Sequence, residues 1–416
     1  MTALTDENPI EAEAASAMAR ILAPGLDDPY PLYAWLRTHA PVYFSEALGA
    51  YVLTRYADCE RVLRNPADFP AAAESDLMRM LPQAGEHEAY RVLLTSVVNR
   101  NPPDHTRLRR LVARAFTPRR IEALKPDVDR IAAGLVAEVA ARGERGGTVD
   151  LHSVLAVPVP LHVVAQLLGV PEEDRQRLAD LVPRMINVID PAADHAAMAD
   201  ADQAFHELGD CLWQVVEARR KEPRDDLISA LVAIGEQDGD RLTDDELRTM
   251  LFTLWAAGFE TAATAIDICV LTLLAHPEHR QSLQRYEDAL RFVDEVLRWD
   301  VAGQISTGFR FAARDTDFGG FTVPAGAQIR LLFGAANRDP EVNPDPDRFD
   351  PFRENPRSLA FATGIHHCLG VNLARMEMAA VLTAIATSLP GLALAGPPVR
   401  RRSVPLRDFL SVPVRV

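Results

Sequence analysis

The sequence predicts a mainly α-helical protein with small β-sheets, folded as a single domain over residues 1–416. Three observations lead there. Roughly the first 300 residues read as amphipathic helices joined by short Pro-containing turns. Strand-like runs are confined to a small region near the N-terminal part and to the stretch after residue 307. No Gly/Ser-rich linker, repeat or low-complexity block marks a place where the chain would divide.

The elements follow in order. MTALTDENPIEAEAASAMARIL is acidic and polar, with neither a basic start nor an apolar run, so no signal peptide is expected and the protein is expected in the cytoplasm. YVLTRY (51–56) reads as a strand. In VPEEDRQRLADLV (170–182), Pro171 and two acids open a helix as the macrodipole prefers. The longest segment runs from Thr243 to Pro277, opened by a Thr243/Glu246 capping box; some 30 residues at about 1.5 Å each give a rod roughly 45 Å long. It is apolar on nearly all sides, but Glu260 and Asp267 would each cost about 2.5 to 3.5 kcal/mol in a bilayer, and no second span exists. The expectation is a helix through the protein centre, and no membrane partner. After residue 307, β-branched and aromatic runs broken by Gly319-Gly320 and Pro324 predict a small sheet, and VNLARMEMAAVLTAIATSL (371–389) predicts a closing helix.

Composition bounds the function. With 48% hydrophobic and 25% charged residues the chain is ordinary for a soluble globular protein, and a net charge of -15 argues against a nucleic-acid partner. Cys59, Cys211, Cys269 and Cys368 are scattered without metal-type spacing, so neither a disulfide framework nor a zinc cluster is expected.

Two stretches break local rules. Ala257-Gly258-Phe259-Glu260-Thr261 places a glycine, about 1 kcal/mol worse than alanine in a helix, and an acid inside an apolar run. Close helix packing and a solvent-seeking Glu would explain the same residues. FATGIHHCLG (361–370) sets Cys368 between glycines just before the closing helix, where the macrodipole and unpaired N–H groups stabilise a thiolate. Gly364 and Gly370 are expected to let the backbone approach the sulfur. Structural zinc lacks further ligands in reach, a Cys-His hydrolase lacks an orienting partner, and a buried thiol is the commonest state of a lone cysteine. The remaining role is an axial thiolate of haem, for which one sulfur suffices. That role needs cations for two propionates. His105 and Arg109, four apart in DHTRLRR, together with Arg310 and His366, are candidates.

These motifs resemble the cytochrome P450 family. FATGIHHCLG is similar to its cysteine loop at Phe361, Gly364, His366, Cys368 and Gly370; AGFET resembles the acid-alcohol segment of its central helix. Glu295-Val296-Leu297-Arg298 resembles its E-x-x-R, with Arg348 of PDRF as third member, and NPPDHTRLRRLVARAFTPRRI resembles the propionate-binding helix of soluble bacterial members. The resemblance implies a P450 fold around haem b (iron protoporphyrin IX), with Cys368 as the metal ligand and His105, Arg109, Arg310 and His366 on the propionates. It implies Thr261 and Glu260 as the catalytic pair that delivers protons, with Gly258 leaving room for O2 and a local break in the helix admitting water. Glu295, Arg298 and Arg348 would be structural.

The implied activity is insertion of one oxygen atom from O2 into an apolar organic small molecule, by hydroxylation or epoxidation, as in secondary-metabolite tailoring. The alternative is a haem-thiolate protein performing oxidative coupling or rearrangement, or only binding ligand; Thr261 and Glu260 favour the first. No flavin or nicotinamide fingerprint is present, so electrons would come from a ferredoxin and an NAD(P)H-dependent ferredoxin reductase. Arg107, Arg110, Arg114, Arg119 and Arg120 form a basic patch suited to an acidic ferredoxin. In the family, specificity lies in about 70–100, about 180–200 and the stretch after E-x-x-R; Leu77, Met78, Met80, Met185, Ile186, Val188 and Ile189 supply apolar surface there.

Overall fold

The computed structural model describes residues 9–23, 26–72, 86–185, 195–234, 240–401 and 406–416. These fall into two compact units, each gathered from separated stretches: a sheet-containing unit from within residues 1–71, 291–368 and 399–410, and a helical unit from within 72–290, 369–398 and 411–416. The chain changes unit without any linker composition, and at residues 290–291 it does so inside a helix, so no boundary could be read from the sequence.

In chain order, the helices that carry the site are α1 (Asp104–Ala115), α2 (Lys125–Glu144), α3 (Pro158–Leu168), α4 (Asp244–Ala275), α5 (Tyr286–Trp299) and α6 (Val371–Ser388). The main sheet uses β1 (Val42–Ser45), β2 (Ala50–Leu53), β3 (Arg310–Phe311) and β4 (Gln328–Leu331) in the order β1-β2-β4-β3.

In the sheet-containing unit, β1 and β2 are antiparallel with Val42 opposite Leu53, β2 runs parallel to β4 with Val52 opposite Arg330, and β3 is antiparallel to β4 with Arg310 opposite Ile329. Side chains alternate across the pleat. Leu53, Ile329 and Leu331 therefore join Val42, Tyr56, Phe69 and Phe318 in one buried cluster, while Val52 packs into a second with Ile305, Leu332 and Ala335. Each fully buried Leu, Ile or Phe contributes roughly 1.5–3 kcal/mol.

In the helical unit, α4 spans 32 residues. Thr243 Oγ1 accepts from the Glu246 N–H at 3.2 Å and Glu246 Oε2 accepts from the Thr243 N–H at 2.9 Å, the capping box the sequence predicted; His276 and Pro277 end the helix. By length and composition α4 is apolar enough to cross a membrane, yet two thirds of its most apolar window is buried in the protein, against α3, α6 and the helix His195–Lys221. Its buried Asp267 is matched by His152, whose Nδ1 lies 2.7 Å from Asp267 Oδ2 at the start of a π-helical turn, His152–Ala156. A three-stranded sheet of Val149–Asp150, Pro413–Arg415 and Ala393–Leu394 was not expected; strands of two or three residues leave no alternation to read.

Candidate active site

The cysteine loop is built from its backbone outward. The Cys368 N–H donates to Phe361 O at 3.0 Å and the His367 N–H to Gly364 O at 3.1 Å, closing residues 361–368 around a 3-10 turn at Gly364–His366. Ala362 is held at φ 53°, a left-handed conformation costing about 1 kcal/mol outside glycine. Gly364 has φ +72°, and a Cβ there would lie 2.2 Å from Leu63 O. The glycine is thus required by close approach of the Tyr56–Arg64 helix, rather than by approach to the sulfur as the sequence suggested; Gly370, at φ −86°, is open to any residue.

Cys368 stands two residues before Gly370, the N-cap of α6, where the helix end favours a thiolate. Cys59, Cys211 and Cys269 are buried, and burial pushes all three thiols up. Cys368 alone of the four is only half-buried. Buried thiols with raised pKa are poor ligands, so the loop cysteine is the thiol of the four best suited to ligate.

Arg310 fits the demand for a cation facing an anionic group. It is 7% exposed, its guanidinium donates to Phe309 O at 2.9 Å, and no carboxylate pairs with it among the described residues. Burial pulls it down to about 10. A desolvated cation lacking a counter-charge is costly, and a propionate would supply one. His366 is half-buried in the 3-10 turn of the same unit, and Phe361 at the start of the loop is half-buried as well. In the helical unit, α1 sets His105, 3% exposed, and the half-buried Arg109 one turn apart on one face. Within the sheet-containing unit, a half-buried thiol together with Arg310 and His366 is a donor set whose chemistry fits a haem.

On α4, Thr261 Oγ1 donates to Ala257 O at 2.7 Å, so its oxygen remains an acceptor. Glu260 is half-buried, and its charge helps raise His152: burial works against the imidazolium there, but the bond to Asp267, its charge, Asp150 and Glu260 outweigh it. α4 runs as one helix through this stretch. At Gly258 a Cβ would lie 3.3 Å from Val164 Cγ2 on α3, so the glycine serves close helix packing. The ten candidates thus divide evenly: Phe361, Gly364, His366, Cys368 and Arg310 in the sheet-containing unit, and Gly258, Glu260, Thr261, His105 and Arg109 in the helical one.

The profile of the family described as Cytochrome P450 matches residues 50–387. The chain belongs to the cytochrome P450 family. It is 38% identical to Cytochrome P450 BJ-3 of Bradyrhizobium diazoefficiens, over 97% of each chain, and 36% identical to 6-deoxyerythronolide B hydroxylase of Saccharopolyspora erythraea, over 94% of this chain and 96% of that one. Among solved structures it is similar to P450BioI in complex with hexadec-9Z-enoic acid ligated acyl carrier protein, with TM-score 0.84 and 31% identity over 93% of this chain and 98% of that one. The fold is the P450 fold, the enzyme class is that of P450 monooxygenases, and the family implies haem iron and O2.

The E-x-x-R pair of this P450 sits on α5. Arg298 Nε and Nη2 each donate at 2.7 Å to Glu295, both residues are fully buried, and Arg298 Nη1 reaches Pro346 O at 2.8 Å. The third member is Arg353, whose Nε lies 3.4 Å from Glu295 Oε1. This corrects the expectation of Arg348, whose guanidinium pairs with Asp350 at the surface and whose main-chain oxygen alone meets Arg298. Two arginines five residues apart in a turn cannot be ranked from sequence.

The basic patch is partly neutralised. Arg107 pairs with Asp240 and Glu246, Arg110 with Asp240, and Arg120 with Asp225. Sequence reasoning also missed His152 and Glu377, a fully buried carboxyl on α6 that burial pushes up to about 8. No motif signals either. Of the specificity residues, Met185 is buried at the end of a helix; Leu77, Met78, Met80, Ile186, Val188 and Ile189 lie outside the described residues.

Proposed function

We propose that this P450 is a cytoplasmic haem b monooxygenase that hydroxylates or epoxidises an apolar organic small molecule in secondary-metabolite tailoring, with electrons from a ferredoxin and an NAD(P)H-dependent ferredoxin reductase. The overall change is R–H + O2 + 2 e⁻ + 2 H⁺ to R–OH + H2O, or the corresponding epoxide. Cys368 carries the reading: it is the one cysteine of the four that is not buried, just before a helix N-terminus, in a loop closed by hydrogen bonds to Phe361 O and Gly364 O. The hydroxylase relative from Saccharopolyspora erythraea supports the reaction type.

When bound, the haem iron supplies O2 activation, for which a thiolate ligand favours O–O cleavage. The chain's own groups do the rest. Cys368 offers the thiolate, and Arg310, His366, His105 and Arg109 neutralise the propionates. Thr261 keeps an acceptor oxygen beside its bond to Ala257, so it can take a proton from water while passing on its own. Glu260, next to it on α4, is the acid that replenishes that proton.

The test is the visible spectrum of purified protein reduced with dithionite under carbon monoxide. A Soret band displaced far to the red is expected. A band at the position of a histidine-ligated haem, or well-folded protein without haem, overturns the reading.

A further inference from the structure

Arg330 is a second desolvated guanidinium in the sheet-containing unit, and the chemistry proposed above leaves it unused. It sits on β4 opposite Val52 of β2, on the face of the sheet away from Leu53 and Leu331. Its guanidinium lies 4.7 Å from the centroid of the Phe309 ring, and Nη1 is 3.4 Å from Thr307 O, a long contact to an acceptor that carries no net charge. No carboxylate forms an ion pair with it among the described residues, although Arg338, Arg353 and Arg407 of the same unit each have one. Its surroundings enclose it closely enough that desolvation pulls it down to about 10, yet it keeps accessible surface. A cation enclosed but still reachable, unpaired, and backed by an aromatic ring is arranged to receive an anion from outside the chain.

Arg310 cannot be the same receptor. The two residues are on neighbouring strands, but Arg310 pairs in register with Ile329, one residue before Arg330, and successive side chains of β4 point to opposite faces. Phe309 and Thr307 belong to the stretch that follows E-x-x-R.

We infer that Arg330 is an anchor for a carboxylate on the substrate, so that the substrate class is an apolar organic acid bound by its charged end through a two-pronged guanidinium–carboxylate contact over Phe309. The inference rests on the monooxygenase reading and narrows its substrate. Arginine suits the role because its planar fork matches both carboxylate oxygens, while Phe309 and the apolar body of the ligand exclude water from the pair. A site built around a charged hydrogen-bonding group also rejects the neutral analogue, because the guanidinium would be left unpaired.

The probes are saturated fatty acids of eight to sixteen carbons, each paired with its methyl ester. Their dissociation constants are read from the Soret shift of the haem-loaded protein and, independently, by calorimetry. Wild-type protein is expected to bind at least one acid tenfold or more tightly than its ester. Arg330→Leu should reduce that preference to within twofold, with haem content unchanged, and Arg330→Lys should keep part of it. Equal affinities for acid and ester in the wild type, failure of every acid to bind, or a preference that survives in Arg330→Leu overturns the anchor. Loss of haem from the Leu variant also overturns it, by assigning Arg330 to the propionates. Absence of haem from wild-type protein is a different failure, that of the monooxygenase reading itself.

Discussion

The cysteine loop and the middle of α4 each contribute five or fewer residues to the proposed chemistry, but they are specified in different ways. In the loop the backbone is the constraint. Gly364 is at positive φ with Leu63 O against its missing Cβ, Ala362 is left-handed, and the Cys368 N–H is tied to Phe361 O. In α4 the backbone is an uninterrupted helix, and Thr261 and Glu260 are set apart only by what their side chains can do. A rare backbone path demands particular residues at several adjacent positions, so it leaves a motif. A regular helix accepts almost anything, so its functional positions leave a weaker trace.

The largest effect should come from the loop. Cys368→Ala is expected to abolish the thiolate-type carbon monoxide spectrum entirely; a retained spectrum would remove Cys368 as the ligand. Glycine substitutions sharpen the contrast. Gly364→Ala must move the Leu63 backbone and hold alanine left-handed, so a loss of about 3 kcal/mol or more in denaturant unfolding is expected. Gly258→Ala meets only a valine methyl at 3.3 Å and gains up to about 1 kcal/mol of helix propensity, so its net change should stay within ~1 kcal/mol. Comparable losses at both positions would dissolve the distinction.

The helices carry a pH-dependent stability of their own. Glu377 is pushed up to about 8 by burial, so the folded state holds a proton that the unfolded chain releases at the ordinary carboxylate value. Between those values stability falls as pH rises. Glu377→Gln removes that proton, and its stability relative to wild type should improve by about 3–4 kcal/mol between pH 5 and pH 8, read from thermal melts at both. A pH-independent difference would mean that Glu377 is ionised in the fold.

Thr261→Ala should leave the fold and substrate-induced spectral change intact while product formed per NAD(P)H consumed falls by about tenfold and hydrogen peroxide rises, as expected for a lost proton donor. Fully coupled turnover would count against the role. The smallest pair of effects tests the third member of the E-x-x-R network. Arg353→Ala should cost ~1–2 kcal/mol because it leaves the buried Glu295 with one guanidinium fewer, whereas Arg348→Ala, losing a surface pair with Asp350, should stay within about 0.5 kcal/mol. The reverse order would restore Arg348.

Much of the fold and of the cysteine loop is legible in the amino-acid sequence itself. Cys368 and its loop, the Glu295–Arg298 pair, the capping box at Thr243 and the closing helix at Val371–Ser388 are all encoded by residues close together in the chain, where dihedral preferences, capping and i,i+3 spacing act directly. What only the tertiary structure decided joins residues far apart. His152 meets Asp267 across 115 residues, and Arg107 and Arg110 spend their charge on Asp240 more than a hundred residues away. Arg353 displaces Arg348 through the path of one turn, and Arg330 is left without a counter-charge among the described residues, on a strand whose sequence, QIRL, gives no sign of it. Local sequence determines which backbone paths are cheap, but whether a charge is paired, neutralised or stranded depends on which distant segment folding brings beside it, and one residue's chemistry carries no record of that neighbour.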